Sequence, residues 1–180
     1  MIGPSIDETE HFIIQAHGQQ TRRGLEVPYY THPQAVAKFA VELLVKYAPL
    51  VEEEDAEIII KLSLLHDVVE DTPVSIEMLG KMGYPIKLLN SLHLLTKFDD
   101  EFGKETHNEA IARIIDSGDI YAIVVKIADT HHNSLLQGSD ITWLIEQGKD
   151  PACHSRRYLE SNERLMESET FIKFCEVHRG

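Results

Sequence analysis

Cysteine is scarce in these 180 residues: Cys153 and Cys175 stand 22 positions apart, with no Cys-x-x-Cys pair. That spacing argues against a thiolate zinc site and a redox pair, and two reduced thiols point to a cytoplasmic protein. Positive charge is scarce too. Lys and Arg number 17 against 30 Asp and Glu, a net charge of −13, which opposes binding along nucleic acid or to an anionic membrane. No apolar run approaches the roughly 18 residues of a membrane span. The first ten residues lack the basic region and apolar core of a leader, so neither export nor membrane insertion is expected. Alternating strand patterns with turn chemistry on both sides are missing, and so are internal repeats, which leaves an all-α class.

What is present is ordinary soluble composition, 43% hydrophobic and 26% charged, long enough for one compact domain over 1–180. Helical spacing marks residues 7–19, then a helix whose first turn holds Pro33 and which continues through Ala35, Val36, Phe39, Ala40, Leu43 and Leu44. Further helices are predicted from Ser75 to Met82, over 85–96, over about 107–117, from Ile120 to Leu136, near Trp143, over about 154–168 and over about 169–178. The glycine-containing stretch from Lys97 to Thr106 reads as a polar loop able to fold over a substrate.

The chemistry gathers where apolar helices end. Ala56 to Leu65 is an apolar run that delivers His66 and Asp67 into the interior, where an ionised carboxylate beside an imidazole needs a partner. At about 100° per residue, Glu70 lies near His66 in angle and Asp71 follows Asp67 by one turn. One cation satisfies His66 and Asp67 and leaves Glu70 and Asp71 to handle a water. The same arrangement recurs at the end of the helix from Ile120, where Asp129 and Asn133 share a face and Lys126 precedes Asp129 by about one turn.

His32, His66, Asp67 and Asp129 thus offer two imidazoles and two carboxylates from three helical segments. Nitrogen and oxygen ligands without sulfur suit Mn²⁺, Fe²⁺ or Zn²⁺ alike. A divalent ion lowers the pKa of nearby water, and a carboxylate beside it can orient or deprotonate that water. The reaction class that follows is metal-assisted hydrolysis of a phosphate ester.

The words Ala16-His17-Gly18-Gln19, Pro28 to Pro33, Leu65 to Thr72 and Lys126 to Asn133 occur in an order that resembles the HD-domain metal-dependent phosphohydrolases. Within them the chain is similar to the hydrolase domain of RelA/SpoT-type alarmone enzymes, over about residues 10–137. The resemblance implies an HD-type helical bundle with manganese held by His32, His66, Asp67 and Asp129. It implies that Glu70 and Asp71 position the attacking water and assist proton transfer, and that Asn133 contacts a nucleotide. Tyr29 becomes a wall of that nucleotide's site and Lys126 a cation for its phosphates. The reaction implied is removal of the 3′-pyrophosphate from (p)ppGpp by a small stand-alone hydrolase.

The chain departs from that family in the loop before the Pro28 word, where Arg23 is kept and Gly24 stands at a lysine position. An HD phosphohydrolase acting on another nucleotide or phosphoester is therefore a second reading. A non-catalytic module that binds metal and nucleotide is a third. For an anionic substrate Lys97, Lys104, Lys126, Arg22 and Arg23 are the candidate cations. His11, His17, His93, His107, His131, His132, His154 and His178 are read as surface or satisfied core histidines.

Overall fold

The computed structural model describes residues 3–22, 26–97, 99–100, 103–136 and 138–179. In chain order they form α1 (Ile6–His17), α2 (Thr31–Tyr47), α3 (Glu53–Leu65), α4 (Val68–Asp71), α5 (Ile76–Lys81), α6 (Ile86–Leu95), β1 (Asp99–Asp100), β2 (Gly103–Lys104), α7 (His107–Ser117), α8 (Ile120–Ser134), α9 (Gly138–Glu146), α10 (Pro151–Met166) and α11 (Glu169–Val177). The fold is all-α, as its periodicity predicts.

Local chemistry starts most of these helices. Ser5 with Glu8 and Thr106 with Glu109 form reciprocal capping boxes at α1 and α7, each satisfying amides that a helix start leaves bare. Asp119 caps α8, its Oδ1 accepting from Ala122 N at 2.9 Å, while Ser91 Oγ donates to its Oδ2 at 2.9 Å and ties α6 to that start. Gly118 ends α7 at φ 64°, a left-handed conformation that costs glycine little.

Helix α8 is the axis. From Tyr121 to Thr130 every residue is buried, the mark of a helix covered on all sides. It packs against α2, α3, α6, α7, α10 and α11, and α2 lies against α3. Ile59, Leu62, Leu65, Leu92, Ile123 and Ile127 are almost fully buried in the shared core, each stabilising by about 1.5–3 kcal/mol relative to exposure.

Helix α3 starts in the acidic run, with Glu53, Glu54 and Asp55 in its first turn, where the helix dipole favours acidic side chains. The structure differs from the sequence reading at its other end: α3 stops at Leu65, and His66-Asp67 form a turn before α4. The angular argument across one continuous helix therefore holds only within α4, where Asp71 N donates to Asp67 O at 2.9 Å.

The stretch after α6 is more ordered than a plain loop. Asp99 pairs with Lys104 and Asp100 with Gly103 in a minimal antiparallel hairpin. At its base the Arg113 guanidinium grips Glu105 with two bonds of 2.7 Å and donates to Leu94 O at 2.7 Å. That planar bidentate geometry joins the end of α6 to the start of α7. The expectation that this stretch folds over a substrate falls partly on residues 98, 101 and 102, outside the described residues.

Candidate active site

Three elements converge at one end of the bundle: the first turn of α2 brings His32, the turn after α3 brings His66 and Asp67, and the last turns of α8 bring Asp129. The C-terminal ends of α3 and α8 carry partial negative charge, which favours a cation there. His32, His66 and Asp129 are 4%, 3% and 4% exposed, and each aims a ligand atom into a space where those atoms lie within 4.8 Å of one another.

The donors interleave. His32 Nε2 lies 3.3 Å from Asp129 Oδ1 and 3.4 Å from Asp67 Oδ2. His66 Nε2 lies 3.1 Å from Asp67 Oδ2 and 3.7 Å from Asp129 Oδ1. His66 Nδ1 is engaged with Ser63 O at 2.8 Å, whereas its buried Nε2 has no hydrogen-bond partner of adequate geometry. Such an orphaned nitrogen is costly unless something else binds it. Two imidazole nitrogens, one of them that orphan, and two carboxylates fit a divalent ion.

The electrostatics say the same of the bare protein. Burial pulls the His66 imidazole down, but the Asp67 and Asp129 carboxylates outweigh it and hold the ring well above its ordinary pKa. Burial pushes Asp67 up, and the facing His66 and His32 more than reverse that. Asp129 is likewise held well below the usual carboxylate range, by Lys126 first and then the two histidines, against its burial. Positive charge thus stabilises two ionised carboxylates, Asp129 buried and Asp67 partly buried.

Further side chains fix those carboxylates. Lys126 Nζ, itself buried, donates to Asp129 Oδ2 at 2.8 Å, and its pKa is raised by Asp129 against the effect of burial. Asn133 Nδ2 donates to Asp129 Oδ1. Tyr29 OH donates to Asp67 Oδ2 at 2.7 Å, and burial together with the Asp67 charge pushes its phenol up.

Beside the cluster opens a cavity of about 280 Å³. Glu70 and Asp71 stand on its wall, both exposed. Glu70 Oε1 accepts from Lys97 N at 2.7 Å, and Asp71 O accepts from Gln20 Nε2 at 2.6 Å. Of the candidate cations, Arg22, Lys97 and Lys126 line the cavity. Lys104 sits exposed in β2 away from that wall, and Arg23 lies outside the described residues.

Some histidines read as background stand beside the site. His132 contacts His32 through their Nδ1 atoms at 2.7 Å. His17 is buried, bonds Gln20 Oε1 through Nδ1 at 2.8 Å, and packs its ring 4.8 Å from that of Tyr29. His107 lines the cavity with Tyr158 and bonds Ser161 Oγ at 2.8 Å. For His132 a signal existed: it follows Asp129 by three positions, one helical turn. His107 and Tyr158 come from α7 and α10, whose approach no local pattern marks.

The family model described as HD domain matches residues 29–151. The chain is 34% identical over 128 residues to the bifunctional (p)ppGpp synthase/hydrolase SpoT of Escherichia coli (strain K12), covering 69% of this chain and 17% of that protein. It is 35% identical over 126 residues to a probable guanosine-3′,5′-bis(diphosphate) 3′-pyrophosphohydrolase of Synechocystis sp., covering 68% of this chain and 15% of that one. The match thus spans under a fifth of these curated relatives. A solved structure described as a metazoan ortholog of SpoT that hydrolyzes ppGpp superimposes with a TM-score of 0.62 at 21% identity, over 98% of this chain and 96% of that one. At that identity it speaks for the fold.

Proposed function

The chain belongs to the HD-domain family, and on that footing we propose that it removes the 3′-pyrophosphate of guanosine tetra- or pentaphosphate. The observation that carries this reading is the convergence of His32, His66, Asp67 and Asp129 beside a cavity whose wall holds both the Glu70-Asp71 carboxylates and the cations Arg22, Lys97 and Lys126. Relatives named as ppGpp 3′-pyrophosphohydrolases support the substrate class.

His32, His66, Asp67 and Asp129 would hold the divalent ion, for which we propose Mn²⁺. When bound, such an ion supplies Lewis acidity towards phosphoryl oxygens and lowers the pKa of water. Glu70, aided by Asp71, orients the attacking water and takes its proton. The water oxygen joins the phosphorus bonded to the ribose 3′ oxygen, that P–O bond breaks, the 3′ oxygen takes up a proton, and pyrophosphate leaves. Lys126, Arg22, Arg23 and Lys97 offset the charge of the phosphates. Tyr29 and Asn133 form the nucleotide's wall, each already bonded to a carboxylate of the cluster.

Gly24 at a lysine position motivates the second reading, the same chemistry on another nucleotide or phosphoester. The non-catalytic reading is weaker, because a closed structural site has no use for two further carboxylates on the cavity wall. A cytoplasmic location completes the proposal; among the described residues no helix is long and apolar enough to cross a membrane. Pyrophosphate release from ppGpp by Mn²⁺-loaded protein tests it. No turnover of ppGpp alongside turnover of another nucleotide would overturn the substrate, and no turnover of any under any divalent ion would revive the binding module.

A further inference from the structure

We infer that His132 is a positioning residue of the metal site: it accepts a hydrogen bond from His32 Nδ1–H and so aims the bare Nε2 of His32 at the ion. The inference rests on the metal reading of the cluster and is independent of which nucleotide is cleaved.

A histidine that binds a cation through Nε2 must carry its proton on Nδ1, and an acceptor at Nδ1 holds both the tautomer and the ring's direction. The two histidines of this cluster obtain that acceptor differently. His66 Nδ1 faces Ser63 O at 2.8 Å, and a backbone carbonyl can only accept, so main chain fixes the His66 tautomer. His32 Nδ1 faces another imidazole, His132 Nδ1, at 2.7 Å. Two ring nitrogens at that distance share one proton, since two bare lone pairs or two N–H groups would repel. With His32 Nε2 committed to the cluster beside Asp129 Oδ1 and Asp67 Oδ2, the shared proton belongs to His32. His132 Nδ1 is then the acceptor and its own proton sits on Nε2.

The surroundings hold His132 to this role. Its ring meets that of His32 edge to edge, with centroids 4.9 Å apart and 27° between planes, and Phe39 from α2 packs at 6.0 Å. Arg22 Nη1 lies 3.1 Å from His132 Nδ1 and 3.2 Å from its Nε2. A guanidinium only donates. Of the two ring nitrogens only a bare His132 Nδ1 can accept from it, and Arg22 Nη2 donates to Asn133 Oδ1 at 3.2 Å. His132 therefore joins a cation-binding histidine to the Arg22-Asn133 wall of the cavity. A ring that merely filled space would not need a nitrogen at 2.7 Å from His32.

Two variants and one spectrum test this. His132→Asn places Oδ1 close to where Nδ1 stood and keeps an acceptor; His132→Phe keeps a ring and removes it. With Mn²⁺ affinity read by titration and metal-dependent melting, His132→Phe is expected to bind about 10- to 100-fold more weakly. His132→Asn should recover most of that loss, and both should melt alike in chelator. In the Zn²⁺-loaded wild type, long-range ¹⁵N correlation should show the His32 proton on Nδ1. A bare His32 Nδ1, wild-type Mn²⁺ affinity in His132→Phe, or a His132→Asn variant no better than His132→Phe would overturn the inference alone. A wild-type chain that binds neither ion would overturn the metal reading with it. Should His132→Phe fail to fold, the wild-type spectrum still decides.

Discussion

Tyr29 donates its hydroxyl hydrogen to Asp67 Oδ2 at 2.7 Å, the same oxygen that lies 3.1 Å from His66 Nε2. A side chain from the loop before α2 thus braces a carboxylate from the turn after α3. Tyr29→Phe removes one charge-assisted bond from an ionised, largely enclosed group, and the metal-free protein should lose about 1–2 kcal/mol of stability. Urea unfolding in chelator measures this. An unchanged midpoint would mean that water replaces the phenol without cost.

Asp67 and Glu70 stand three residues apart in different surroundings, one in the interleaved cluster and one on the open wall. Asp67→Ala should lower metal content and activity together. Glu70→Gln keeps the size and the bond from Lys97 N but removes the proton acceptor, so it should retain most metal while losing on the order of 10²- to 10⁴-fold in rate. Metal analysis beside single-turnover hydrolysis separates the two. A fully active Glu70→Gln, or one inactive through loss of its metal, would sink the assignment.

His107 gives a pH signature. Burial, then the charges of Lys126, Arg157 and Lys97, pull its pKa down from 6.5 to about 4. The folded pKa lies below the unfolded one, so above about pH 6.5 both states are neutral and His107 is without effect. As pH falls from 6.5 towards 4 the unfolded chain takes up the proton first, and stability is lost. The ring is only half-buried, so after discounting for solvent screening the loss is about 1–2 kcal/mol. His107→Gln, which can still bond Ser161 Oγ, should show a shallower fall between pH 7.5 and 4.5 in urea midpoints. Parallel curves for the two proteins would refute the shift.

The residues that cluster were legible because each marks the end or start of an apolar helix: a buried run that closes on His66-Asp67, another that closes on Asp129, and a proline-containing first turn around His32. Burial and helical period are local properties, so sequence carries them. Contacts between helices are not local. His132 meets His32 across 100 positions, and His107 lines the cavity from α7, whose start Arg113 and Glu105 tie to the end of α6. The break at His66 was hidden as well. Nothing in Leu65-His66-Asp67-Val68 is a helix breaker, and at the turn His66 is buried with its Nδ1 on Ser63 O.

Lys126 is the sharpest test of how charge is balanced at the site. Its ammonium holds Asp129 Oδ2 at 2.8 Å while Oδ1 of the same carboxylate faces the histidines. Lys126→Met fills the space and leaves a buried carboxylate with less compensation. Breaking one side of such a pair costs about 3 kcal/mol, and that loss should appear in chelator. A divalent ion at the cluster would neutralise Asp129 from its other oxygen, so the variant should regain stability on loading and show a larger metal-induced rise in melting temperature than wild type. A smaller rise would mean that Lys126 acts on Asp129 chiefly by orienting it for the ion, and the charge argument would fail.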